Sequence, residues 1–359
     1  MNIESQVVNE ITWPRLGIRP FLLLSLFLLL LVIAALSLAL GSVQIPLSEI
    51  VTILLGGEAT RETWTTIVIN FRLPKTLTAV LAGSALAISG LQMQTLFRNP
   101  LAGPFVLGIN SGASLGVALV VLSTGTAATG LLATLGLLGN IGIILAASLG
   151  SALVLFAVMA VAHRVNNMTL LILGLLFGYA TSAVVSILLY FAIAERIQAY
   201  IAWTFGSFGG VTWGQLQVLA PAVLFGLLIA WLSAKPLNAL LLGEAYARSL
   251  GLTVRQARFL ILTSASILAG AITAFCGPIA FIGVAVPHLC RSLFNSSDHR
   301  VLVPATIMMG AIVALTADLI AQLPGSQTVL PLNAVTALIG APVVAWVILR
   351  RRNLRATFG

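Results

Sequence analysis

Few residues in this 359-residue sequence have the types and spacing that chemistry needs. No Gly-x-x-x-x-Gly-Lys-Ser/Thr stretch occurs, so the chain does not bind ATP through that phosphate loop. No His-Glu-x-x-His or Cys-x-x-Cys pattern signals a metal. His288 and Cys290 lie two apart on a presumed helix and face different ways, which reads as packing or loop contact. Cys276 and Cys290 both sit in apolar surroundings. They are too few for a disulfide framework and read as buried small hydrophobes. Asp318 is the one carboxylate inside an apolar run. It falls about three residues from the end of a span, where a carboxylate reaches the interface, so it reads as solvated or capped and not as a proton relay. Ser89 and Gln92 share a helix face at i, i+3, with Gln94 nearby. In a span such side chains either bond helices together or line a passage, and the sequence leaves both open.

The longest polar-rich interruption in the second half is Lys235 to Phe259. It sets Lys235, Arg248, Arg255 and Arg258 against one acid, Glu244. Gly243 and Gly251 bracket a segment of good helix formers, EAYARSL. A short glycine-bounded helix is suited to pushing on another protein, and an ordinary loop is the plainer reading. The elements around it decide between them.

Of the residues, 59% are hydrophobic and 8% charged, against roughly 25% charged in soluble domains. Runs of about 20 apolar residues recur along the chain, which predicts an all-α, polytopic membrane protein. The short alternating segments of a barrel are missing. The +9 charge is therefore read as setting orientation, with lipid and not nucleic acid as the partner. Ten spans are predicted, near 20–40, 74–97, 101–123, 140–162, 168–193, 215–234, 260–276, 278–294, 301–321 and 331–349. The first is too long for the core of a cleaved signal peptide and is expected to be retained. Residues 1–19 and 351–359 form terminal segments around a single domain, 20–350.

Ten spans put both termini on one side. With that side cytosolic, Arg15, Arg19, Arg98, Arg164, Lys235, Arg248, Arg255, Arg258, Arg291, Arg300 and the four C-terminal arginines lie inside. Arg61, Arg72, Lys75 and Arg196 lie outside, which accounts for all 18 basic residues and obeys the positive-inside rule. Residues 235–259 then face the cytosol. LAGSALAISG at 81–90 echoes LAGAITAFCG at 268–277 in the opposite direction, as an inverted repeat would; close packing of small residues would give the same match. With buried ionisable groups nearly absent and a cationic segment on the ATP side, energy supplied by a partner is the economical inference. A stand-alone carrier or channel is the rival.

These landmarks resemble the FecCD-type permeases of ATP-binding-cassette importers for iron–siderophore complexes, haem and cobalamin. The resemblance covers about residues 20 to 350. It is carried by Arg72-Leu73-Pro74-Lys75, Gln94 to Ala102, Gly206 to Gly210, Leu242-Gly243-Glu244 with Leu250-Gly251-Leu252, Gly277 to Gly283, Pro287-His288, Asp298-His299-Arg300 and Gly340-Ala341-Pro342. It implies a multi-pass bacterial inner-membrane subunit without catalytic residues or a cofactor of its own, ATP and Mg being bound by a partner. The implied partners are two ATP-binding subunits, a second permease copy or close relative, an extracytoplasmic substrate-binding protein and a metal chelate, with a ferric siderophore expected and cobalamin or haem as alternatives. By the same resemblance Gly243, Glu244, Ala247, Leu250 and Gly251 couple to the ATPase. Arg72 and Lys75 would dock the binding protein, with anchoring of a helix end as the other account. Asn99, Leu101, Asn167 and Met168 would narrow the passage at its cytosolic end. Lys75 stands where arginine is common, and Gln322 where the family carries a further outer arginine; lysine and arginine are not equivalent in pairing carboxylates.

Overall fold

A computed structural model describes residues 20–122, 140–162, 164–323 and 328–350, and these are helical without a strand. The terminal segments 1–19 and 351–359 lie outside the described residues. Among the described residues, seven helices are long and apolar enough to cross a membrane, and three shorter apolar helices accompany them. The chain runs α1 (Pro20–Ala39), α2 (Leu47–Leu54), α3 (Glu62–Thr66), a π-helical turn (Ile67–Arg72), α4 (Leu73–Leu96), a 3-10 turn (Pro104–Leu107) and α5 (Ile109–Val121). It continues through α6 (Asn140–Ala162), α7 (Asn167–Phe191), α8 (Ala194–Thr204), α9 (Trp213–Leu232), α10 (Ala234–Leu241) and α11 (Glu244–Ser249). It ends with α12 (Val254–Cys276), α13 (Ile282–Phe294), α14 (His299–Gln322) and α15 (Leu332–Arg350).

The arrangement inverts a water-soluble core. α1 turns Phe21, Leu24, Phe27, Leu28 and Leu31 outward, as lipid requires. α4 is rich in Ala, Gly and Ser, and all its residues from Ala82 to Leu96 are buried. Small side chains let neighbouring backbones approach, so α4 becomes the hub. α14 runs antiparallel to it, joining Lys75 to Asp318, Ser84 to the Ile307 carbonyl and Thr95 to His299. α12 is antiparallel on another side, through Ser89 with Ala265 and Gln92 with Ser264. α13 crosses at Gly90 and Gly283, where a Cβ on Gly90 would overlap the Gly283 carbonyl.

Three features depart from the sequence reading. Helix begins at Glu62, not Pro74, and passes through the π turn into α4; Trp213 donates its indole N–H to the Ile69 carbonyl of that turn at 2.9 Å. Residues after Glu195, read as part of a link, form α8. Pro278 to Phe281, read as the start of a span, is not helical. Irregular backbone at that depth needs protein partners, and it has them. Ser207 N–H donates to the Cys276 carbonyl at 2.8 Å, and Ala280 N–H to the Asn333 side chain at 3.0 Å. The echoing ten-residue segments run in opposite directions because α4 and α12 are antiparallel. They part at their last glycine: Gly90 is mid-helix, whereas Gly277 ends α12 with φ 75°.

Candidate functional site

The contacts of α4 define two ends of the bundle. At the Arg98 end, the 235–259 stretch folds into α10, α11 and the start of α12. Gly243 opens α11 at φ 102°, and Gly251 closes it at φ 82°, a region that side chains with a Cβ rarely adopt. Gly251 N–H bonds to the Arg248 carbonyl and Leu252 N–H to the Ala247 carbonyl, which together make a Schellman cap. Ala247 is fully buried, packed with Leu96, Phe97, Leu237 and Leu240. Leu242, Tyr246 and Leu250 are exposed by 62%, 51% and 61%. Tyr246 and Leu250, four residues apart, share a face of α11, and Leu242 is the exposed C-cap of α10 just before Gly243. Glu244 and Arg248 pair at 3.3 Å beside that face, both still in reach of water. The site is thus a glycine-defined helix rooted by Ala247 and presenting the exposed apolar side chains of Tyr246 and Leu250.

The predicted narrowing residues share this end. α4 ends at Leu96, the chain turns at Arg98, whose φ of 47° is unusual for a side chain of its kind, and the Asn99 carboxamide accepts the Leu101 N–H at 3.0 Å. His288 meets the Pro100 carbonyl at 2.7 Å. Leu101 and Met168 are exposed by 45% and 68%. The Asn167 side chain lies outside the described structure; Asn166, its neighbour, caps α7 by accepting the Thr169 N–H at 2.8 Å.

At the Arg72 end the polar side chains are tied to neighbouring helices, and Arg72 itself is half-buried. Its guanidinium donates to the carbonyls of Leu38 and Ala39, at 2.7 and 2.9 Å, and to that of Val43. The last carbonyls of a helix lack intrahelical partners, so Arg72 is the C-terminal cap of α1. Lys75 is committed to Asp318 at 3.0 Å. Asp318 is buried, not solvated, and also accepts from Gln322 at 2.7 Å. Ser89 and Gln92 are buried and bonded to α12, so they fasten helices and expose no face to a passage. Nearby, the Thr60 hydroxyl and N–H hold the Glu49 carboxyl below the usual carboxylate range, fixing α2 to the following loop.

The profile of the FecCD transport family matches residues 28–350. The chain belongs to that family. It is 39% identical to the vitamin B12 import system permease protein BtuC of Klebsiella pneumoniae, over 92% of this chain and 94% of that one. It is 37% identical to the hemin transport system permease protein HmuU of Yersinia pestis, over 94% and 98%. A solved structure described as an inward-facing conformation of a metal-chelate type ABC transporter superposes with a TM-score of 0.80 at 28% identity, covering 92% of this chain and 99% of that one. As a FecCD permease, the chain is a multi-pass bacterial inner-membrane subunit of an ABC importer of the metal-chelate type, and ATP is hydrolysed on a separate subunit.

Sequence reasoning gave no role to Thr95, Asn238 and His299, although Thr95 and His299 lie in motifs it quoted; at the Arg98 end of this FecCD permease His299 bonds both of the others. The available signal was Asn238, a polar residue amid the apolar run PLNALLL. The capping role of Arg72 has a direct test. Arg72→Ala should lower thermal stability in detergent by about 2 kcal/mol, since hydrogen bonds from a charged donor are lost. An Arg72→Ala permease that melts like the wild type would return Arg72 to the docking role.

Proposed function

We propose that this permease imports a metal chelate by alternating access, with α10–α11 taking the force of ATP binding from the separate ATPase. The supporting observation is the exposed apolar surface of Tyr246 and Leu250 on a helix rooted in the bundle by Ala247, with exposed Leu242 at the end of α10 beside it. An apolar face at a bundle end calls for a protein partner, and the Arg98 end is then cytosolic. Two permease copies, the same chain or a close relative, enclose the passage between them, and each presents this surface to one of two ATPases. ATP and Mg are held by those partners and no cofactor by this chain. Asn99, Leu101, Asn167 and Met168 narrow the cytosolic exit. The substrate-binding protein docks at the Arg72 end, whose surface Arg72 and Lys75 shape from within by fixing α1, α4 and α14.

A ferric siderophore is the cargo that the family resemblance suggests. A cobalt or iron tetrapyrrole is favoured by the names of the two relatives, one a vitamin B12 permease and the other a hemin permease. The experiment is uptake by the complex reconstituted with its ATPase and binding protein, offered cyanocobalamin, haemin, a ferric hydroxamate and a ferric catecholate in turn. ATP-dependent uptake of one of them is expected. Uptake that persists without the ATPase would overturn the importer reading in favour of a stand-alone carrier.

Gly251→Val probes coupling. No atom lies within 4 Å of where its Cβ would sit, so the bundle itself does not resist the change. The positive φ does, at roughly 1–2 kcal/mol, and distorts the cap of α11. Inserted protein at wild-type level with uptake reduced at least about 10-fold, as 1.4 kcal/mol would give, is the expected outcome. Normal uptake would remove Gly251 from the coupling surface.

A further inference from the structure

We propose that His299 is a positioning residue that delivers the movement of the coupling helices to the cytosolic gate. The inference rests on the coupling role of α10–α11 and on the gate assignment above, and it names the link between them. His299 is wholly buried at the start of α14. One ring nitrogen, Nδ1, meets the Asn238 side-chain oxygen on α10 at 2.8 Å. The other, Nε2, meets the Thr95 hydroxyl on α4 at 2.9 Å. The His299 N–H also donates to the Asn238 oxygen at 2.8 Å, and Asn238 in turn donates to Asp298 at 2.6 Å. One imidazole therefore bridges the coupling segment and the hub helix.

Its placement gives the bridge a direction. Asn238 lies on α10, which adjoins α11 and its exposed apolar side chains. Thr95 is one turn before Asn99, and the Arg98–Leu101 turn follows directly on α4. The apolar contacts around the bridge, made by Leu237, Leu240 and Ala247, tolerate sliding, because dispersion and burial have little angular preference. Hydrogen bonds at these distances do not tolerate it. A displacement of α10 along the bundle end therefore passes through His299 to Thr95 and so to the gate turn. That turn is held from its other side by His288 at the Pro100 carbonyl, and by Arg291, which donates to Gln94 at 2.6 Å. It thus pivots between α13 and the His299 bridge.

The test uses the whole complex and needs no knowledge of the cargo. Leu101→Cys gives a thiol at the gate. Cys276 and Cys290 are buried, so the engineered thiol is the one open to attack. Its labelling rate with a membrane-impermeant maleimide is measured without nucleotide and with ATP trapped by vanadate. In the otherwise wild-type complex the two rates should differ. Thr95→Val keeps the shape of the side chain and deletes the hydroxyl; the difference should be lost while the complex still assembles and hydrolyses ATP. Thr95→Ser restores the hydroxyl and should restore the difference. His299→Leu should match Thr95→Val, and the pair combined should be no worse than either, as members of one bridge are not additive. A full nucleotide-dependent difference in Thr95→Val would overturn the proposal and leave the importer reading intact. A wild-type complex whose labelling ignores nucleotide would overturn the coupling reading and the proposal with it. Should His299→Leu fail to assemble, Thr95→Val against Thr95→Ser decides the matter.

Discussion

Gly90→Ala should abolish recovery of folded permease. In an exposed helix the same change would stabilise by about 1 kcal/mol, because alanine is the better helix former. Here the new methyl group would overlap the Gly283 carbonyl oxygen and the backbone behind it. Backbone cannot turn aside as a side chain can, so α4 and α13 must separate. Separation also strains the bonds that Gln94 shares with the Val284 carbonyl and Arg291. Overpacking of this kind costs about 3 kcal/mol or more, a large share of the roughly 5–15 kcal/mol that holds a protein folded. Size-exclusion yield and melting temperature in detergent report it. Gly214→Ala is the control, since a Cβ there meets nothing within 4 Å. If Gly90→Ala melted with the wild type, the crossing of α4 and α13 would be misplaced.

The second large effect is asymmetric across one ion pair. Lys75→Met leaves Asp318 charged, buried and without its cation. Breaking a buried pair from one side costs about 3–5 kcal/mol, and the single bond from Gln322 offsets only part of it. Asp318→Asn should cost less. Its partner Lys75 keeps 20% of its side chain exposed, against 6% for Asp318, and a lysine ammonium on a flexible stem can turn to water. The double variant, Lys75→Met with Asp318→Asn, should regain much of what Lys75→Met loses, because no lone charge then remains inside. Melting temperatures of the four proteins give the order. Equal losses from the two single changes would mean that the pair is solvated and that Lys75 is free to meet a binding protein.

Much of the molecule is legible without coordinates. A helix that spans a lipid layer satisfies its own backbone hydrogen bonds, so its signature is local and needs only length and apolarity. For that reason the sequence predicts ten spans, and the described residues hold seven helices long enough to span and three shorter apolar ones. The glycine-bracketed helix α11 is equally local: Gly243 and Gly251 are needed for their own φ values, and Ala247 falls on its inner face. Short helices and irregular backbone are less legible. Nothing in Gly277 to Phe281 announces that its free carbonyls and N–H groups find Ser207 and Asn333, far along the chain.

What the sequence by itself determined, then, is that this is an all-helical membrane protein and where its glycine-bracketed polar segment lies. Those properties follow from composition and periodicity along one chain direction, and the permease reading from the motifs that resemble the FecCD family. The tertiary structure alone decided what its polar residues do. Arg72, Lys75 and Asp318 read as outward or solvated groups and turn out to cap and pair one another's helices, while Ser89 and Gln92 bond α4 to α12. Thr95 and Asn238 come within 3 Å of His299 only when three helices meet. A polar side chain away from water must find a partner, and which partner depends on residues that packing brings near and sequence order keeps apart.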